Sequence, residues 1–160
     1  MTENSEDQCP NYRKESYYDK MLHKIIHLRK DWEIYLGHAP KHEKYCLCQR
    51  IRNRMDDIFE LCIECKARYW NKTTLTKLDV TVAKIRGDAM LYYQLGLFEY
   101  HNNRLPEPET DSKFESRALR RYRNINVQVD TIGRMVGGII KANAAGKAVE
   151  LANSKPDNQE

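Results

Sequence analysis

Four of the five cysteines stand in two close pairs, Cys46 with Cys48 and Cys62 with Cys65, a spacing that could supply thiolate ligands to a metal. If both pairs share one helix, they are about 14 residues, on the order of 20 Å, apart, and one tetrahedral zinc cannot reach both. Cys62 also falls in an apolar helical stripe. We therefore expect reduced cysteines that pack as small hydrophobic side chains, and no metal or other cofactor.

Histidines and carboxylates give weaker signals of chemistry. His23 and His27 have the i, i+4 spacing of a metal-binding pair but no evident third ligand, and the lysines around them favour a basic surface instead. A run of carboxylates also follows helical spacing: Asp56, Asp57, Glu60 and Glu64. Arg52, Lys66 and Arg68 stand near this run, which favours i, i+4 ion pairs over an acid–base pair. Since no nucleophile has a plausible base, we predict that the protein is not an enzyme.

Four periodic segments would position these side chains. Apolar residues recur every three or four positions in each segment, which predicts four helices. The first three cover about residues 17–36, 43–70 and 75–100. Capping-box spacing at Ser112 and Glu115 precedes the fourth helix. Because the connections are short, the pattern favours an all-α protein, an antiparallel up-and-down four-helix bundle over residues 15–143.

Charge is distributed unevenly along the chain. The formal net charge is +4, yet residues 1–12 carry −3 and residues 148–160 carry −2, so the segment between them must carry +9. A compact body with this excess attracts polyanions, of which nucleic acid is the commonest in the cytoplasm; ordinary solubility charge is the alternative. We predict an acidic, flexible segment over residues 1–14 and a frayed or disordered tail over residues 144–160.

The sequence carries no signal for a membrane or for export. A run of about 18 apolar residues, the length a spanning helix requires, is not present. Residues 1–12 are acidic and polar, unlike the basic and then apolar start of a secretory signal. The odd number of cysteines also argues against a disulfide framework. We therefore expect a cytoplasmic protein that does not contact a membrane.

The fourth segment carries the strongest functional signal. Its candidate nucleic-acid-binding residues are Arg117, Arg120, Arg121, Arg123, Arg134 and Lys141. Projection at about 100° per residue places four of them, all but Arg117 and Arg121, within a sector of roughly 60° nearly opposite the apolar stripe. Asp130 lies at the edge of this sector and Val127 lies near its centre. The pattern predicts a phosphate-binding surface, and a solvated helix face is the alternative.

Three glycines interrupt the same segment, although glycine costs roughly 1 kcal/mol relative to alanine inside a helix. Gly133 and Gly137 project beside the core stripe, so we expect them to let a neighbouring helix approach closely. Gly138 projects towards the basic sector, where it could admit a partner subunit or a phosphate; a weak point near a fraying helix end is the alternative. All three are predicted packing or oligomer-contact residues.

The end of the third segment, MLYYQLGLFEY, is apolar around the whole helix. Tyr92 and Leu95 fit the core stripe, while the remaining apolar residues project elsewhere. These are Met90, Leu91, Leu97 and Phe98. A helix end that is apolar on every side must be buried on more than one side. We expect a second subunit to cover it, with the adjoining loop of the same chain as the alternative.

Three stretches together resemble a known family. IGRMVGG (132–138) is similar to a last-helix signature, QRIRNRMDDIFELCIECKARY (49–69) to a second helix, and LDVTVAKIRGDAMLYYQLGL (78–97) to a third. The family is the accessory variability determinant (Avd) proteins of diversity-generating retroelements, which are four-helix bundle proteins. The resemblance covers about residues 17–142, and Ile139 departs from it where the family has an aromatic residue.

This resemblance implies a function and an assembly. It implies a homopentamer, five bundles arranged as a barrel, whose basic surface engages nucleic acid and the retroelement reverse transcriptase during mutagenic retrohoming. The bound nucleic acid would be the template RNA or its cDNA. The chain itself lacks a Tyr-x-Asp-Asp-type polymerase motif. A protein–protein scaffold bundle with no direct nucleic-acid role is the alternative from another class.

Overall fold

Four α-helices make up most of the chain. The computed structural model describes residues 16–68, 71–107 and 116–153, with the side chains of the last range described as far as Gly146. The helices are α1 (Tyr17–His38), α2 (Leu47–Ala67), α3 (Lys72–Gln94) and α4 (Arg117–Asn153). Each packs on its neighbours in the chain, and α1 also packs on α4. Over the residues that the structure describes, the prediction of an all-α protein with four helices is confirmed.

Contacts between helices show that their directions alternate. Between α1 and α2, Arg29 pairs with Asp56 and Glu33 pairs with Arg52. The later residue of α1 thus pairs with the earlier residue of α2, so the two helices are antiparallel. The same holds between α1 and α4, where His27 contacts Gln128 and Asp31 contacts Asn124. It also holds between α2 and α3, where Arg50 contacts Asp88 and Arg54 contacts the Lys84 carbonyl. The arrangement is therefore an antiparallel, up-and-down helical bundle.

Helix boundaries follow local capping chemistry. The Ser16 hydroxyl accepts a hydrogen bond from the Asp19 N–H at 3.2 Å, and the Asp19 carboxylate accepts one from the Ser16 N–H at 3.3 Å, which completes a capping box for α1. The capping box predicted at Ser112 and Glu115 lies outside the described residues. At the start of α4, the Ser116 hydroxyl instead accepts from the Leu119 N–H at 3.3 Å.

Aromatic side chains fill one end of the core. The Trp32 ring stacks on Phe98 with centroids 5.8 Å apart and meets the edge of Tyr92 at 5.5 Å. Phe98 also lies 4.6 Å from Tyr92 and 5.6 Å from Tyr35. The Tyr92 hydroxyl donates to the Tyr35 carbonyl at 3.1 Å, so its polar atom is satisfied inside the core.

This aromatic cluster corrects the prediction for the end of α3. The helix stops at Gln94 because Gly96 adopts a left-handed conformation (φ +69°), which turns the chain back towards the bundle. The short 3₁₀ turn that follows buries Leu97 and Phe98 in the core of their own chain. Their own chain therefore covers these two residues, and the prediction that a second subunit covers them is wrong. Leu95, expected in the core, is 52% exposed.

The prediction for the C-terminal tail is also wrong in part. α4 continues to Asn153, so residues 144–153 are helical instead of frayed. Alanine, lysine, glutamate and leucine predominate there and all favour helix, so the helix extends even where the apolar periodicity is lost. The acidic segment 1–14 and residues 154–160 lie outside the described residues.

One buried carboxylate ties α2 to α3. Asp88 is 3% exposed, and it accepts hydrogen bonds from the guanidinium groups of Arg50, at 3.0 Å, and Arg54. Arg54 also reaches the Lys84 carbonyl at 3.4 Å. A buried charge is tolerated when it is paired and hydrogen-bonded in this way. Both arginines therefore tie α2 to α3, although the Arg50 side chain stays 47% exposed.

Candidate nucleic-acid interface

The predicted cationic stripe lies on the outer surface of α4. Arg120, Arg123, Arg134 and Lys141 are all exposed, and Val127 between them is 63% exposed. Arg134 donates from Nε to the Asp130 carbonyl of its own helix at 3.3 Å, which directs its side chain along the surface. The stripe follows one uninterrupted helix, so its cations form a row along it.

Helix α1 contributes cations beside this stripe. His27 Nδ1 and Gln128 Oε1 lie 2.8 Å apart, which fixes the register of α1 against α4. A groove of about 750 Å³ runs between the two helices. Its lining residues are Lys20, His23, Lys24, His27, Val127, Gln128 and Thr131. Val127 lies near the centre of the α4 stripe, so Lys20 and Lys24 of α1 lie beside that stripe.

We call this surface the basic face. It is formed by Lys20, Lys24, Arg120, Arg123, Arg134 and Lys141. Sequence reasoning favoured a basic surface around His23 and His27 but did not join it to the α4 stripe. To join the two surfaces, one must know that the first and last helices are neighbours, and no local sequence pattern indicates this.

Two carboxylates next to the basic face are held by other groups. Asp31 Oδ2 accepts from the Asn124 amide at 2.8 Å and from the Gln128 amide at 2.6 Å. Asp130, which interrupts the predicted stripe, accepts from Arg86 of α3 at 3.0 and 2.8 Å. These hydrogen bonds direct Asp31 towards the contact of α1 with α4 and Asp130 towards the contact of α3 with α4. Positive charge therefore predominates on the basic face.

Arg121 is a correction to the predicted set. Its guanidinium donates to the Phe98 carbonyl at 2.8 Å and to the Tyr100 carbonyl at 3.0 Å, and it lies over the Tyr35 ring at 5.5 Å. Burial lowers the pKa of this guanidinium, with Arg117 adding to the effect. Arg121 therefore anchors the turn after α3 and is not a surface contact. Arg117 is half-buried at the first turn of α4.

The three glycines have different neighbours. A Cβ at Gly133 would lie 3.3 Å from Arg86 Nη2 and 3.7 Å from Val82, so side chains of α3 lie close to α4 at this glycine. At Gly137 no group of the described chain lies within 4 Å, and contact with a helix of another subunit stays a prediction. At Gly138 the nearest group is the hydroxyl of Tyr17, at 3.7 Å. Contact of Gly138 with a subunit or a phosphate stays a prediction.

The cysteines do not form a metal site in the part of the chain that the structure describes. Cys48, Cys62 and Cys65 are buried, as expected for small hydrophobic side chains, whereas Cys46 is exposed. Burial raises the pKa of the Cys48 and Cys65 thiols to about 11 and that of Cys62 to about 12. Across residues 16–68, 71–107 and 116–146, no group of three potential ligands gathers around a metal position.

Carboxylates of α2 give the opposite side of the bundle a mixed charge. Glu64 pairs with Arg68 at 2.8 Å, as the i, i+4 pattern predicts. Arg52 and Lys66 instead reach across to α1, where they pair with Glu33 and Asp19. A groove of about 390 Å³ between α2 and α3 is lined by both signs of charge: Asp57, Glu60, Glu64, Lys77 and Lys84. With three carboxylates and two lysines, this groove has no excess of positive charge that would select a polyanion.

Comparison with known proteins adds no assignment. No family model matches the chain, and no curated protein or solved structure matches it either. Among the described helices, none combines the length and the apolar character needed to cross a membrane. A functional conclusion must therefore come from the charge and geometry of the bundle, together with the resemblance of its sequence.

Proposed function

We propose that this protein is a non-enzymatic nucleic-acid-binding bundle that contacts phosphates through the basic face. The proposal rests mainly on one observation, that cations of α1 lie beside the row of cations on α4, across the groove between the two helices. Lys20 and Lys24 of α1 line the groove beside the α4 stripe. Meanwhile the nearby Asp31 and Asp130 are occupied by amides and by Arg86.

Binding on such a face is driven by electrostatics. Lysine and arginine neutralise phosphates and release the counterions condensed on the nucleic acid, which gives affinity without base recognition. Arginine adds geometry, because its planar guanidinium can bond two phosphate oxygens at once. The face has four α4 cations and two from α1, so up to six phosphates can be contacted together.

The resemblance to Avd proteins supports a more specific role. In that role the protein is an accessory subunit of a diversity-generating retroelement that binds template RNA or cDNA and partners the reverse transcriptase. Assembly into a homopentamer would multiply the weak contacts of each basic face. Met90 and Leu91 stay exposed at the end of α3 and are the remaining candidates for subunit contact. An absolute mass near five chains supports this assembly, and a monomer or dimer contradicts it.

The salt dependence of binding tests the proposed function. The protein is freed of nucleic acid by nuclease at high salt, and its affinity for a labelled RNA is measured between about 50 and 200 mM salt. Four to six phosphate contacts predict that the logarithm of the affinity falls with a slope of about −3 to −5 against log salt. Absence of binding, or affinity that does not change with salt, would contradict the proposal.

A scaffold role is the second candidate, because an apolar strip lies on a different side of the bundle. Ile26 of α1 and Phe59 and Ile63 of α2 are each more than a third exposed. Ion pairs of α1 with α2 stand at both ends of the strip, Asp19 with Lys66 and Arg29 with Asp56. Purified protein that binds no nucleic acid at low salt would favour this candidate.

A further inference from the structure

An exposed aromatic ring stands at one end of the basic face. Tyr17 is the first residue of α1 and is 48% exposed. Its hydroxyl lies 3.7 Å from the position that a Cβ of Gly138 would occupy, so the side chain rests against α4 where that helix has no side chain. The third glycine of α4 thus leaves room for a ring beside the stripe.

Cations stand one helical turn from this contact on both helices. On α4, Gly138 is one turn from both Arg134 and Lys141, and on α1, Lys20 is one turn from Tyr17. The other large aromatic side chains exposed in the described part of the chain are Tyr45, between α1 and α2, and Phe59, beside the apolar strip. Tyr17 is therefore the exposed aromatic side chain placed within the basic face.

The shape of the face favours one form of nucleic acid. The row from Arg120 to Lys141 spans 22 residues of one helix and extends about 30 Å along the helix axis. A duplex presents its backbones as two helices that wind away from such a row, whereas a flexible single strand can follow it. Single strands also leave bases unpaired, so that a base can stack on an aromatic ring.

We propose that the basic face binds single-stranded nucleic acid, with one base stacked on Tyr17 and the adjoining phosphates on Lys20, Arg134 and Lys141. This inference rests on the proposed function and specifies its substrate. Stacking is tolerant of sequence because every base has a π-face, so it adds affinity for unpaired strands without selecting a motif.

Truncation of the ring tests the inference. Tyr17→Ala should weaken binding of a fluorescein-labelled oligo(U) about tenfold and change binding of a hairpin duplex with equal phosphate number less than twofold. Tyr17→Phe keeps the ring and should bind as the unaltered protein does. Tyr45→Ala, which removes an exposed ring outside the face, should have no effect. Equal losses on both probes, or no loss, would overturn the inference.

A second measurement covers the case in which Tyr17→Ala perturbs the start of α1. Ultraviolet irradiation of the unaltered protein bound to a 5-bromouridine oligonucleotide should attach the base at Tyr17. Attachment only at other residues contradicts the stacking site. If the unaltered protein binds the hairpin as tightly as oligo(U), the preference for single strands fails while the proposed function stands. If it binds neither probe, the proposed function itself fails.

Discussion

Reversal of two charges on the basic face, Arg120→Glu together with Arg134→Glu, should weaken RNA binding about 100-fold at 150 mM salt. Each charge-assisted contact to a phosphate contributes on the order of 1.5 kcal/mol, about a factor of ten in affinity. Both side chains are exposed on α4. The bond that the structure shows for Arg134 stays within its own helix, so the fold should persist. Fluorescence anisotropy with labelled RNA measures the loss, and circular dichroism checks helicity.

A matched pair on the other side of the bundle controls for net charge. Lys77→Glu with Lys84→Glu changes the net charge equally, but these lysines line the α2/α3 groove among carboxylates. Because charges farther than about 10 Å are screened, we expect less than about a threefold change in affinity. Equal losses for the two double variants would mean that RNA is attracted by total charge and not by this face.

Phe98→Ala should lower the free energy of unfolding by about 4 kcal/mol, the usual cost of removing a buried aromatic ring. Phe98 is fully buried and contacts the rings of Trp32, Tyr35 and Tyr92. Its removal leaves a cavity at the end of the core and frees the turn that Gly96 positions. Urea unfolding followed by tryptophan fluorescence, at two protein concentrations, measures the change independently of assembly.

Leu95→Ala is the matched control for this variant. Leu95 lies at the same end of α3 but is 52% exposed, so its truncation should change the free energy of unfolding by less than about 0.5 kcal/mol. If Phe98→Ala altered the mass of the assembly and left the unfolding of the single chain unchanged, then Phe98 would be a subunit contact and its placement in the core would be wrong.

The helices were predictable from the sequence because their apolar residues follow the helical period along each segment. The end of α3 was not, since Leu95, Leu97 and Phe98 continue an apolar run that fits a helix as well as a turn. The left-handed conformation of Gly96 decides between the two. Glycine often ends a helix, but the three glycines of α4 lie inside one. The presence of a glycine alone therefore does not predict where a helix ends.

Exposure along one helix could be predicted, whereas partners across helices could not. The α4 stripe follows from projection of a single segment. Arg120 and Arg121 are adjacent in sequence, yet one is exposed and the other is held by the Phe98 and Tyr100 carbonyls. Those carbonyls become available only after the chain has turned at Gly96. Likewise, the contribution of α1 to the basic face depends on a helix pairing between distant parts of the chain.

Lysine footprinting tests most directly whether nucleic acid lies on the basic face. The unaltered protein is acetylated with and without bound RNA, and modification at each lysine is quantified by mass spectrometry. Lys20, Lys24 and Lys141 should be protected severalfold by RNA, while Lys77 and Lys84 in the α2/α3 groove should react at the same rate in both samples. Protection of Lys77 and Lys84, or equal protection of all five lysines, would contradict the assignment of the face.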